Sequence, residues 1–168
     1  MYLDKAQYFF TPEGLCSFKH FREGETVTVL NEKGNWSKGI VRNFGRKPIH
    51  QIVFQTADEE FEVLANHDAK WLLKPNGKFV YRTVAPKTIK QIHHHRDVIS
   101  FKLNVDDRMQ SIRTKIFSGD DLLFNLVNQN ISVQEIGQEN RPGDAWGISL
   151  KEGNFFVLAE NLLFGGCQ

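Results

Sequence analysis

Few side chains in this 168-residue chain could do chemistry, and most stand alone. Cys167, one residue before the last, has little reason to be buried, and is either a dangling thiol without a role or, once deprotonated, a nucleophile. It would need a base within hydrogen-bond reach. His67, in Asn66-His67-Asp68, is one candidate, although a solvated or turn-bonding imidazole is the plainer role in so polar a stretch. A Cys167–His67 hydrolase would lack an orienting acid at recognisable spacing. Cys16 follows Leu15 in an apolar run and reads as a small buried hydrophobe. His93, His94 and His95 are adjacent. Neighbouring residues diverge on a strand and on a helix, so the three cannot converge on one ion. No metal or cofactor is expected.

Composition narrows the setting. Lys+Arg total 21 and Asp+Glu 20, a formal charge of +1. That balance creates no strong field for nucleic acid or a membrane surface. Arg108, Arg113 and Lys115 lie beside Asp106 and Asp107, the mixed signs of a solvated face. Two cysteines make no disulfide framework, nothing resembles a signal peptide, and no apolar run is long enough to cross a bilayer. The expectation is a monomeric, cytoplasmic single domain with a sizeable core. The 14 Phe point to short strands over that core, with Trp71 and Trp146 inside it.

The elements that must position any site are mostly β. "TPEG" (Thr11 to Gly14) is a turn, with Pro presetting φ and Gly free to take positive φ. "TVTVLNEKGNWSKGIV" alternates, turns near Glu32-Lys33-Gly34 and resumes. "HQIVFQT" and "FEVLAN" form a hairpin, as do the two halves of "KWLLKPNGKFVYRT". These short strands favour a sandwich or barrel-like body. Met109, Ile112, Ile116 and Phe117 step at helical spacing, and "SGDDLLFNLVNQN" allows a second short helix. Residues 104–130 therefore read as a peripheral helical insertion. The β signal returns in "ISVQEI", turns at "NRPGD" and continues through "AWGISL" and "NFFVLA".

Four stretches, in order, resemble the Hint (hedgehog/intein) family, most closely small phage and bacterial mini-inteins. "FFTPEGLCSFKHFREGETVTVLNEKGNWSKGIV" is similar to the N-terminal block and "IHQIVFQTADEEFEVLANHDAKWLL" to the second. "RPGDAWGISLKEGNFFVLAEN" looks like the penultimate block and "LLFGGC" like the last. The resemblance implies a mainly β horseshoe of short antiparallel strands, with both chain ends near its centre. It implies protein splicing, an intramolecular acyl transfer of the Asn-cyclisation type, with flanking host-protein segments as partners. Cys167-Gln168 would begin the downstream flank. The 104–130 insertion is too short for the homing endonuclease that such domains often carry.

The same resemblance locates a depleted chemistry. Met1 stands where the first nucleophile belongs, and a thioether cannot perform the acyl shift. Aligned on Trp71-Leu72-Leu73, the second block puts Asn66 at its Thr position and Ala69 at its His position. Aligned on the histidine, it puts Leu64 and His67 there. The first alignment keeps the spacing to Trp71 and is preferred. Gly147 occupies a place where Asp or Cys often assists. Gly165 is penultimate, and Gly166 replaces the terminal Asn that would cyclise. Cys167 matches the downstream nucleophile. The chain is therefore expected to be inactive or impaired in splicing. The rival expectation is a non-catalytic β-rich phage module for binding or structure, which would not need Met1, Asn66–Ala69 and Gly166–Cys167 to meet in space.

Overall fold

The computed structural model describes residues 1–32, 35–55, 60–66, 69–73, 80–83, 100–103, 124–127, 132–136, 141–160 and 162–167. Among these the fold is mainly β. The strands are β1 (Leu3–Asp4), β2 (Tyr8–Thr11), β3 (Gly14–Ser17), β4 (Thr26–Leu30), β5 (Trp36–Gln55), β6 (Glu60–Ala65), β7 (Lys70–Leu73), β8 (Val80–Thr83), β9 (Ser100–Leu103), β10 (Phe124–Val127), β11 (Ser132–Ile136), β12 (Arg141–Leu150), β13 (Phe155–Val157) and β14 (Leu163–Gly165). One 3-10 turn, Phe18–His20, is the only helical element among the described residues.

The short strand β1 lies inside the largest sheet, whose hub is the long β5. Leu3 pairs with Trp146 of β12 on one side and Ala65 of β6 on the other. The long β5 pairs with both β6 and β12, so the four ladders close a circuit around the start of the chain. A second sheet runs β13-β14-β7-β8, and Phe164 of β14 lies opposite Trp71 of β7. Both ends are thereby anchored rather than frayed. Leu3 and Phe164 are fully buried, and each such side chain contributes about 1.5–3 kcal/mol on burial.

The core explains the phenylalanine excess. Phe9 packs on Phe18 at 5.0 Å and on Phe156 at 6.1 Å between ring centroids. Trp71 and Trp146 are buried, as their sequence settings predict. Trp71 sits 5.2 Å from Phe54 and 5.1 Å from Phe164, and its indole N–H has no partner among the described residues. The "TPEG" hairpin forms as β2–β3, closed by Thr11 Oγ1–H donating to the Gly14 carbonyl at 2.7 Å; Gly14 has φ 117°.

Three expectations need correction. Phe124–Val127 is not helical but a strand paired with β9. Phe124, Asn125 and Leu126 also alternate at period two, and so short a window fits both periods. Residues 104–123 and 128–130, where the rest of the helical insertion was expected, lie outside the described residues, as do His93, His94 and His95. The second correction is "NRPGD": Arg141–Asp144 continues as strand, with Pro142 directly opposite Pro48. Neither proline has an N–H, so together they fit a pair that exchanges no ladder bonds. Thirdly, Cys16 is only half-buried, on β3 beside Thr11.

Glu160 ties the turn after β1 to the β13–β14 hairpin, its carboxylate accepting from Gln7 Nε2 at 2.9 Å. Burial, opposed by its hydrogen bonds, holds this carboxyl above its usual range. A folded value above the unfolded one gives stability that is present below the unfolded pKa and lost as pH rises through the folded one. Glu160→Gln should therefore stabilise the domain at pH 7, by up to about 1 kcal/mol. The gain should vanish in acid below both values. Denaturant melts at the two pH values test the sign.

Candidate functional site

The first residue lies at the junction of the two sheets. Tyr2 N–H donates to Asn66 Oδ1 at 2.8 Å, and Asn66 N–H donates to the Tyr2 carbonyl at 3.1 Å. Asn66 thus continues the β1–β6 pairing by one residue and adds its side chain to it. Ala69, fully buried, donates its N–H to the Asn66 carbonyl at 3.2 Å. The next N–H, of Lys70, points at Met1 Sδ at 3.3 Å.

The last block arrives from the opposite side. Gly166 N–H donates to the Asn154 carbonyl and Cys167 N–H to the Ile148 carbonyl, each at 2.9 Å. The second bond lays Cys167 along β12. Its sulfur lies 3.6 Å from Ser149 Oγ and is buried, contrary to the expectation for a thiol so near the chain end.

Gly147 is the meeting point. A Cβ added there would stand 2.8 Å from the Met1 carbonyl oxygen, 3.2 Å from Cys167 Sγ and 3.2 Å from the Phe44 ring. The start and the end of the chain therefore close on one strand position, and only glycine leaves room for both. Gly165 plays a similar part, because a Cβ there would stand 2.8 Å from Met1 Sδ. At Gly166 a Cβ would meet Leu150 side-chain atoms at 3.1 Å and the Ile148 carbonyl at 3.2 Å.

Met1, Asn66, Ala69, Gly147, Gly165, Gly166 and Cys167 are thus brought into one neighbourhood. His67 lies outside the described residues. Leu64, its companion in the histidine-based alignment, is 39% exposed on β6.

No family model matches the chain, and no curated protein matches its sequence. Structures do. A bacterial intein-like domain from Clostridium thermocellum is 13% identical, with 99% of this chain and 98% of that one covered at a TM-score of 0.51. The gp41-1 intein, in a substituted form, is 10% identical, with 99% and 98% covered and a TM-score of 0.58. The DnaB intein from Synechocystis sp. PCC 6803 is 10% identical, with 99% of each chain covered and a TM-score of 0.51. The fold is the intein (Hint) fold.

Several neighbours of this site in the intein fold escaped sequence reasoning. Phe44 reaches Gly147 because β5 carries an extra residue where Ala145 pairs with Gly45 and Trp146 with Asn43. Gly45, at φ 74°, accommodates that bulge. A glycine inside an alternating strand is the signal that could have found it. Lys70 and Asn154 act through backbone groups, which residue type does not reveal. Ser149 lies two residues beyond Gly147 and so on the same face of β12.

Proposed function

We propose that this chain is an intein-like protein-splicing domain whose surviving step is acyl transfer to Cys167. The domain spans residues 1–166, Cys167 opens the downstream flank, and flanking host segments are its substrates. One observation carries the reading: through its carbonyl, Met1, the residue that follows the scissile bond, closes with the Cys167 sulfur on the same point over Gly147. Proximity of this kind converts a bimolecular encounter into an intramolecular one.

Met1 offers no first nucleophile, so the Cys167 sulfur attacks the carbonyl carbon preceding Met1 directly. The S–C bond forms, the C–N bond to Met1 breaks, and the Met1 nitrogen takes up a proton. The upstream flank is then held as a thioester on Cys167. Asn66 fixes the Met1–Tyr2 peptide through its two bonds to Tyr2. Ala69 supplies no side-chain donor to the scissile amide, which makes the step slow. Gly166 cannot form the cyclic imide of Asn-type splicing, so the Gly166–Cys167 bond persists and the flanks are not joined.

A chain placed between two foreign domains tests this. Added thiol should release the upstream domain slowly, no ligated flanks should form, and Cys167→Ala should abolish release. Release that survives Cys167→Ala would sink the reading, and no release from the parent chain would favour a non-catalytic module.

A further inference from the structure

We propose that Ser149 is a positioning residue for the Cys167 nucleophile, an inference that rests on the acyl-transfer reading above. Cys167 is held against β12 in two ways. Its N–H bonds to the Ile148 carbonyl at 2.9 Å, and its side chain lies over the face shared by residues 147 and 149. At position 147 that face presents only a glycine hydrogen. At position 149 it presents a hydroxyl, 3.6 Å from the sulfur. Among the described residues, Cys167 Sγ is the partner that Ser149 Oγ contacts.

A hydroxyl rotates to suit its partner. It can accept from the resting thiol, then donate to the thiolate that attacks. A buried thiolate needs such a donor, because burial penalises unpaired charge. Ser149 itself is held in register by its pairing with Ile40 of β5. Its hydroxyl is therefore fixed relative to the strand that carries Gly147. The thiolate is stabilised on the side where residue 147 leaves it unsupported, and its sulfur stays directed at the start of the chain.

Two readouts on the full chain separate this contact from the reading it rests on. The first is the alkylation rate of Cys167 by iodoacetamide at a fixed pH, with Cys16 distinguished by peptide mass spectrometry. The second is thiol-induced release of the upstream domain in the flanked chain. Ser149→Ala should slow both by about tenfold, the scale of one hydrogen bond to a charged group. Ser149→Thr keeps the hydroxyl and should rescue both, with all three chains folding alike. Equal alkylation in Ser149→Ala and the parent chain, or slowing that Ser149→Thr fails to rescue, would overturn the proposal. Slowed and rescued alkylation with no release from any chain would leave the Ser149–thiolate contact standing and remove the acyl-transfer reading.

Discussion

Between two foreign flanks, Met1→Cys should restore the first acyl shift, and Ala69→His should then accelerate it by about 10²-fold, the scale of one positioned acid–base group. The order matters for a physical reason. Ala69 is fully buried, and the neighbouring Lys70 N–H is occupied by Met1 Sδ. An imidazole introduced beside the native methionine must displace packed atoms. Beside the shorter side chain of the Met1→Cys chain it gains the room that the thioether vacates. Ala69→His alone should therefore destabilise the fold and add no cleavage. Gly166→Asn completes the series. Its Cβ needs a few tenths of an ångström from the flexible Leu150 side chain and from the Ile148 carbonyl, so the variant should fold with a small loss of stability and permit cyclisation. His67→Ala should leave every rate unchanged. Denaturing gels with intact masses read the products. A triple variant that folds but neither cleaves nor ligates would refute the assignment of these positions.

The second large effect is a coupling between the two ends. Met1 Sδ occupies the space that a side chain at residue 165 would fill. Lys70 Cβ and its carbonyl, each 3.1 Å from the same point, close the other side. Gly165→Ala should cost about 1–3 kcal/mol, the usual range for overpacking a filled site. Met1→Ala should remove much of that cost, giving a coupling of about 1–2 kcal/mol in a double-mutant cycle. Urea melts of the four chains measure it. Additive effects would mean that the thioether does not fill the place of a penultimate side chain.

This coupling bears on what a sequence reveals. Local features were legible: the "TPEG" hairpin, the alternating β4–β5 hairpin and the burial of Trp71 and Trp146 all follow from nearby residues. Other failures depended on partners far along the chain. Pro142 reads as a turn until Pro48 is set opposite it. Cys167 reads as a dangling thiol until the Ile148 carbonyl captures its N–H. At the site, residue types showed correctly that Gly147, Gly165 and Gly166 lack reactive side chains. They could not show that the vacated space is used by the Met1 carbonyl, the Met1 thioether and the Leu150 side chain. Residue type reports absent chemistry, whereas occupied space appears only once distant strands are paired.

The most direct test follows the upstream acyl group itself. A flanked chain kept at neutral pH without added thiol should accumulate a branched species of unchanged mass. Its upstream domain should be linked to the Cys167 sulfur, and Met1 should carry a free amine. Peptide mapping after acid quench, with selective labelling of new N-termini, locates both. A labelled Met1 amine and an acylated Cys167 peptide should appear together, and both should be lost in Cys167→Ala. A free Met1 amine with an unmodified Cys167, or a branch on any other side chain, would contradict acyl transfer to Cys167.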